Sequence, residues 1–330
     1  MEKAIAKEHG SYENLNGGTI DYALMIMTGK PSFRYNLLNE EIQVSIADNL
    51  FWLKVRDFAQ KGFFLGGGTL PEDEIPFQYR LIGGRHAYAI LDVLELDGNK
   101  LLLLKDPRGA SEWSGEWSAD SLNWTSRLRA ITLQRLSRMS SRGQPFRKTV
   151  ENFFNKGHQN IFFISWEEFI KCFEVLFASV SLDDWNKVEI NDEWKEGRAG
   201  GSTMNMRTVL NSPQYLLHVP KEMEVFCLLT HLIDPSIRAL TRIGFEIHKY
   251  NGKLIGEHGF KPNLVVIGRY SAERSISLNC VLKEGDYLVL VTTYEPDKYG
   301  KFIFTMWYPR EEGKENVKLD LIKLQLEASS

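Results

Sequence analysis

The chain is poor in cysteine: its 330 residues hold three, Cys172, Cys227 and Cys280. So few, so far apart, make neither a disulfide framework nor a zinc site, and scattered thiols of this kind are expected to be reduced, in a cytoplasmic setting. The sequence also lacks any apolar stretch near the roughly 18 residues a membrane-spanning helix needs. Its charge is nearly balanced, 43 acidic residues against 40 basic ones for a net charge of -3. That gives no general attraction to nucleic acid, and no aromatic–basic repeat supplies one. Internal repeats and low-complexity tracts are absent, and the charged, amphipathic start MEKAIAKEHGSYENL does not read as a signal peptide. What is present, 43% apolar and 25% charged residues, suits a soluble globular chain, and the length suggests two domains.

The first half mixes helical and strand signals. Glu2–His9 reads as a helix stopped at Gly10, and Thr19 as the cap of a helix over Ile20–Thr28 with Gly29 as its left-handed stop. Asp48 is placed to cap Asn49–Lys61, with Gly62 as the stop and Leu50, Leu53 and Phe58 facing inward. Two strands, His86–Leu94 and Lys100–Lys105, flank Asp97-Gly98, a pair that supplies the positive dihedrals of a tight hairpin. Ser165 and Glu168 form a capping box for a helix expected to run to Val180, with Trp166, Phe169, Ile170, Phe173 and Leu176 on one apolar face. Cys172 lies near that face and reads as core.

After Val180 the pattern changes to short apolar runs separated by turns: Tyr215–Val219, Val225–His231, Ala239–Lys249, Leu264–Ile267, Ser275–Leu282, Tyr287–Tyr294 and Lys301–Tyr308. Ile276, Leu278, Cys280 and Leu282 alternate as a one-sided strand should, and Glu284-Gly285-Asp286 marks a turn. About seven or eight strands without a comparable helix predict a two-sheet sandwich, with Cys227 and Cys280 in its core.

One constellation carries chemistry. A tight turn at Asp97-Gly98 pairs residues whose numbers sum to about 195, which brings Asp106 to the same rim as His86. A carboxylate beside a histidine at a strand end fixes an imidazole tautomer for nucleophilic catalysis. The plainer alternative is that His86 satisfies a backbone group and Asp106 opens the turn before Pro107.

The surrounding words resemble a known family. Glu2-Lys3-Ala4-x-Ala6-Lys7 with Gly10-Ser11-Tyr12-Glu13 and Gly17-Gly18 is similar to the start of the second catalytic subdomain of calpains. Gly84-x-His86-Ala87-Tyr88 and Asp106-Pro107-Arg108-Gly109, followed by Glu112-Trp113-x-Gly115-x-Trp117-Ser118 and Trp124, resemble its histidine strand and its asparagine–tryptophan segment. Phe162–Phe169 resembles the helix closing the protease core, and Trp194-x-x-Gly197-x-Ala199-Gly200-Gly201-Ser202 with Asn205 and Asn211-x-Pro213-Gln214-Tyr215 the opening of the calpain β-sandwich domain. The resemblance implies an α+β chain: a papain-like half catalytic core, antiparallel sheet with helices, over 1–182, then an all-β C2-like antiparallel sandwich over 183–330.

It also implies site residues. The family's histidine falls on His86, its orienting asparagine on Asp106 and the shielding tryptophan on Arg108, while Trp113, Trp117 and Trp124 would line the cleft or the core beneath it. The subdomain that bears the cysteine nucleophile and its oxyanion glutamine is not found in this sequence. Arg108 in place of the indole would open the His86–Asp106 hydrogen bond to water, and could pair instead with Asp106 or Glu112. Calcium, which calpain cores bind through carboxylates and carbonyls, has little to hold it: from Thr125 to His158 the only acidic residue is Glu151, with Asp120 and Glu112 upstream. No cofactor is expected.

Two further surfaces are weighed. Arg127, Arg129, Arg135, Arg138, Arg142, Arg147 and Lys148 form a loose basic stretch, read as a solvated face or a site for an acidic partner. His248, Lys249, Lys253 and Lys261 are modestly basic, without the aspartates that bridge calcium to lipid, so solubility is their expected role rather than membrane binding. The expected function is therefore a non-catalytic calpain-like protein, cytoplasmic or associated with the cytoskeleton. A protein partner or a second copy would cover the face normally packed on the cysteine subdomain. The alternative is a calcium-regulated cysteine endopeptidase whose cysteine half comes from another segment or chain.

Overall fold

A computed structural model describes residues 2–8, 10–13, 19–109, 113–138, 150–155, 160–233, 239–310 and 320–324. The chain divides into two compact units, Thr19–Ser181, and Leu182–Ser330 together with Met1–Gly18. It is a mixed α+β protein, helices and sheet in the first unit and antiparallel sheets resembling a sandwich in the second. Among the described residues no helix is long and apolar enough to cross a membrane.

The Thr19–Ser181 unit is built on a six-stranded sheet ordered β1-β6-β2-β3-β4-β5. The strands are β1 (Ser32–Asn36), β2 (Phe64–Thr69), β3 (Ala87–Leu96), β4 (Asn99–Lys105), β5 (Ile161–Ser165) and β6 (Phe173–Ser179), all antiparallel to their neighbours. Its helices are α2 (Ile20–Thr28), α3 (Glu40–Ala47), α4 (Leu50–Gln60), α5 (Ser126–Arg138) and α6 (Trp166–Cys172), with a helical stretch at 150–155; α1 (Glu2–Glu8) belongs to the other unit. Three consecutive glycines in β2 show how tightly its two faces are covered. A Cβ on Gly67 would lie 2.8 Å from the Phe173 ring, and one on Gly68 2.8 Å from Val175 on the other face.

The hairpin follows the expected register: Leu96 faces Asn99, with Asp97 at φ 48 and Gly98 at φ 82. Pairing continues to Asp92 opposite Leu103, then shifts at a bulge, so that Ile90 faces Leu104 and Ala89 faces Lys105.

Several expectations fail locally. The capping box at Ser165 and Glu168 is made, but the helix ends at Cys172 rather than Val180. Phe173–Ser179 instead becomes a central strand hydrogen-bonded to β1 and β2. A continuous aromatic and β-branched run buried on both faces cannot be told from a helix by periodicity, and the two waiting strand edges decide it. Asp48 does not cap α4; Asn49 does so in a left-handed conformation without a side-chain cap bond, while Asn39 caps the unforeseen α3 through the N–H groups of Glu41 and Ile42. Leu50 and Leu53 are exposed, and α4 buries Phe51, Trp52, Val55 and Phe58. Thr19 holds the N-cap position of α2 without a side-chain bond, and Gly29 stops it at φ 66.

The Leu182–Ser330 part carries a five-stranded sheet, β11-β10-β13-β8-β15, and a four-stranded one, β12-β9-β14-β7. The strands are β7 (Trp185–Trp194), β8 (Gln214–Val219), β9 (Met223–Leu232), β10 (Ile243–Lys249), β11 (Leu264–Ser271), β12 (Ser275–Leu282), β13 (Gly285–Thr293), β14 (Gly300–Pro309) and β15 (Asp320–Leu324). The expected runs are all strands; β7 and β15 are additions. Inward residues such as Tyr215, Cys227, Phe245, Val289 and Phe304 make one buried cluster. Cys280 packs against it but is only half-buried, because β12 is an edge strand.

The Gly200-Gly201-Ser202 segment is tied down closely: a Cβ on Gly200 would meet the Thr208 carbonyl oxygen, and Asn205 Nδ2 donates to the Tyr294 carbonyl at 2.8 Å. Gln214 pairs with both backbone groups of Ile255 at 2.9 and 2.8 Å. Trp194 donates Nε1–H to the Val291 carbonyl at 3.0 Å.

His248 is not a surface base. It is buried and bonded through Nε2 to Glu246 at 2.9 Å, and Glu246 also accepts from Thr203 and Tyr270. Lys249 and Lys253 spend their ammonium groups on the Glu284 and His258 carbonyls.

Two outcomes test this packing. Gly67→Ala should cost about 1–3 kcal/mol, since overpacking between fixed rings strains the core, whereas Gly98→Ala has open space and faces only the left-handed backbone cost of about 1 kcal/mol. A urea midpoint unchanged in Gly67→Ala would refute the packing account.

The second concerns His231 in the sandwich, where burial, with Arg274 adding to it, pulls the imidazole down to about 4. The unfolded chain therefore takes up a proton that the folded one refuses as pH falls from 6.5 to about 4. Stability should drop across that window by at most about 1.4 kcal/mol per pH unit and level off below it. His231→Gln should flatten this part of the urea-midpoint profile; an unchanged slope would refute it.

Candidate active site

Three segments converge at one end of the first unit's sheet. β2 ends at Thr69, whose N–H donates to the His86 carbonyl at 2.9 Å, one rung beyond the Gly68–Ala87 pair. The turn before β3 passes through Gly83 at φ 69 and Arg85 at φ 47, with the Arg85 N–H bonded to the Leu70 carbonyl at 3.0 Å. Beyond β4, Asp106 is anchored by its own N–H to the Asn160 carbonyl at 2.8 Å.

His86 Nε2 lies 3.0 Å from Asp106 Oδ1. Asp106 is 1% exposed, and the His86 side chain 17%, so the pair is sheltered while the imidazole keeps an opening to solvent. Donation to the carboxylate would put a proton on Nε2 and leave Nδ1 the acceptor of the neutral ring. The ring rests edge-on against buried Tyr88 at 4.9 Å, and Tyr88 packs in turn against Phe162 and Phe173.

Arg108 donates its backbone N–H to Asp106 Oδ1 at 2.8 Å, and its Nε stands 3.6 Å from the same oxygen. Its guanidinium lies along Gly83, where an added Cβ would come 2.6 Å from Nη2, and half of the side chain is exposed. It borders the pair without roofing it as an indole would. The expected pairing with Asp106 is present; Glu112 lies outside the described residues.

The three tryptophans are core, not surface. Trp113 stacks on Tyr79 at 5.2 Å and on Phe162 at 5.6 Å. Trp117 meets Trp124 edge-on at 4.8 Å and receives its Nε1–H on the backbone carbonyl, and Trp124 packs against Phe154 and Phe163. Gly115 leaves no room for a Cβ beside Trp113 and Glu168. Glu168, which closes the α6 capping box, also accepts the Glu116 N–H at 3.2 Å. Thr69, Tyr88 and this second use of Glu168 were not legible from spacing, because each depends on strand pairings far apart in sequence.

Neither a nucleophile nor a metal cage completes the site from the described residues. Burial pushes the thiols of Cys172 and Cys280 up to about 12 and that of Cys227 well above its ordinary value. Among the described residues no three His, Cys, Asp or Glu side chains converge to hold a metal ion. The basic stretch is partly spent: Arg127 pairs with Asp97 at 2.9 Å, Arg135 with Asp92 at 3.4 Å, and Arg129 lies over the Phe154 ring. Arg142, Arg147 and Lys148 lie outside the described residues.

Trp117→Ala should destabilise the unit by about 3–5 kcal/mol, the usual cost of emptying an aromatic core site, while His86→Ala, which leaves Asp106 the Arg108 N–H, should cost less, about 1–2 kcal/mol. Similar losses in urea unfolding would refute this division between core and rim. With iodoacetamide at about pH 8, Cys172 and Cys227 should resist alkylation until the chain is unfolded. Rapid reaction of either in the native state would mean that a usable thiol exists.

The family model for calpain family cysteine proteases matches residues 1–178, and that for domain III of the calpain large subunit matches residues 190–307. Calpain-type cysteine protease DEK1 of Arabidopsis thaliana is 26% identical over 328 residues, covering 93% of this chain and 14% of that protein. Calpain-8 of Rattus norvegicus is 27% identical over 345 residues, covering 92% of this chain and 45% of its own length. The chain thus spans less than half the length of these relatives. With its first 178 residues matched by the family's protease model, the chain belongs to the calpain family of cysteine proteases.

Proposed function

We propose that these residues act as a non-catalytic calpain-like interaction module. The observation that carries the reading is the placement of the thiols: all three cysteines of the sequence have thiol pKa values pushed up by burial. Acyl transfer in this family's chemistry needs a thiolate attacking a carbonyl carbon, and an oriented imidazole alone cannot form the acyl-enzyme. On this reading the Thr19–Ser181 unit is a papain-like half core bearing the histidine pair, and the sheets after Leu182 form a C2-like domain. A protein partner or a second copy covers the face that a cysteine-bearing subdomain would occupy, in a cytoplasmic setting.

A second reading is favoured by one measurement, the 3.0 Å contact of His86 Nε2 with Asp106. It leaves Nδ1 placed to accept a proton from a thiol supplied by another segment or chain, as in a calcium-regulated endopeptidase. Incubation with an epoxide inhibitor directed at cysteine proteases, together with a peptide-cleavage assay with and without calcium, separates the two. No cysteine of these 330 residues should be labelled and no peptide cut. Labelling and cleavage that both vanish in His86→Ala would sink the non-catalytic reading.

A further inference from the structure

The hydroxyl of Thr69 joins the two sides of the turn that delivers His86. Thr69 Oγ1 accepts the His86 backbone N–H at 2.9 Å and donates to the Gly83 carbonyl at 2.9 Å, with the His86 carbonyl a second acceptor at 3.1 Å. The residue is 1% exposed, so no water stands ready to replace these bonds. We propose that Thr69 is the positioning residue of His86, its hydroxyl clamping the Gly83–His86 turn so that the imidazole is presented to Asp106 in one tautomer. The inference rests on the assignment of His86 and Asp106 as this family's histidine pair, under either reading of function.

The two partners are held by different means. Asp106 has its own supports, the Asn160 carbonyl on its N–H and the Arg108 N–H on its carboxylate, none of which involves Thr69. His86 reaches the site from a turn with two left-handed residues, Gly83 and Arg85, the second of which pays a steric cost there. Such a turn keeps its shape only where its surroundings over-determine it. Removing the hydroxyl leaves the Gly83 carbonyl and the His86 N–H without their shared partner in a buried place. The turn then samples other shapes and the imidazole leaves Asp106. Tyr88 limits the tilt of the ring but offers its edge contact nothing with which to select a tautomer.

The test is a long-range 1H–15N spectrum of the histidine side chains in the full chain, compared among wild type, Thr69→Val and Thr69→Ser. The sequence has seven histidines, so the signal lost in His86→Ala identifies the one of interest. Wild type should show His86 with the proton on Nε2 and Nδ1 bare. Thr69→Val, which keeps the shape and drops the hydroxyl, should show averaged tautomers, and Thr69→Ser should restore the wild-type signature. A wild-type signature in Thr69→Val, even with a lowered melting temperature, overturns the positioning role and leaves the hydroxyl merely structural. Averaged tautomers already in wild type overturn the His86–Asp106 pair itself, a different failure. Should Thr69→Val not fold, hydrogen exchange of the wild-type His86 amide decides: slow exchange supports the clamp, and exchange as fast as that of an exposed loop overturns it.

Discussion

The bulge in the β3–β4 hairpin is the constraint on which the site depends. Cross-strand neighbours point to the same face of a sheet, and a one-residue slip sends a side chain to the other face. Below the bulge the paired residue numbers sum as they do at the turn, with Asp92 opposite Leu103; above it Ala89 faces Lys105. Continued by one residue, the upper register sets Asp106 against Tyr88, on the face that His86 shares two residues earlier. The unbroken register would set Asp106 against Ala89, on the opposite face. One extra residue, Leu91, therefore decides that a carboxylate and an imidazole meet, a use of bulges known where a strand must re-aim a side chain.

Around that meeting point the supports are unequal. Asp106 is buried and receives hydrogen bonds from the imidazole and from a backbone N–H, so its place is set by the sheet. Arg108 is half-exposed and approaches the same carboxylate at 3.6 Å, too far for a strong bond and in reach of water that screens it. The pair thus keeps its internal geometry, while the group beside it no longer seals it. An oriented imidazole of this kind serves a thiol brought to its Nδ1 side, or serves as one polar feature of a binding face. The three thiols of the sequence answer neither need, since each is held in or against a hydrophobic core where ionisation is opposed.

How much of this was legible follows the range of each interaction. Asp97-Gly98 fixes its hairpin through local dihedrals, and the Ser165–Glu168 box spans a single turn, so both could be read from neighbouring residues. The runs after Val180 predicted strands because they are short and bounded by turns, even where, as in β10 and β13, both faces are buried. Phe173–Ser179 misled because both of its faces are dry, and only the edges of β1 and β2 make it a strand. Leu50 and Leu53 misled for a related reason: the buried face of α4 is chosen by Trp166 on another element, which receives Phe51 and Trp52 at 6.1 and 5.4 Å. At the site, hairpin arithmetic put His86 and Asp106 on one rim, but the bulge that sets them on one face was not legible. Nor was Thr69, because its partner is 17 residues away across the next strand pair.

The tryptophans that follow β4 carry packing. Trp113, Trp117 and Trp124 are buried among Phe154, Phe162 and Phe163, and Gly115 exists because a Cβ would collide with Trp113. Replacing any of these empties or overfills a core, at a cost comparable to a good part of a domain's stability. Arg108 stands instead at the rim, half-exposed, where solvent accepts its guanidinium. Asp106 lies beside it, buried, and accepts from the imidazole and from the Arg108 N–H. An identity of 26% with a calpain-type cysteine protease, of which this chain covers 14%, speaks for the shared fold more strongly than for a shared reaction.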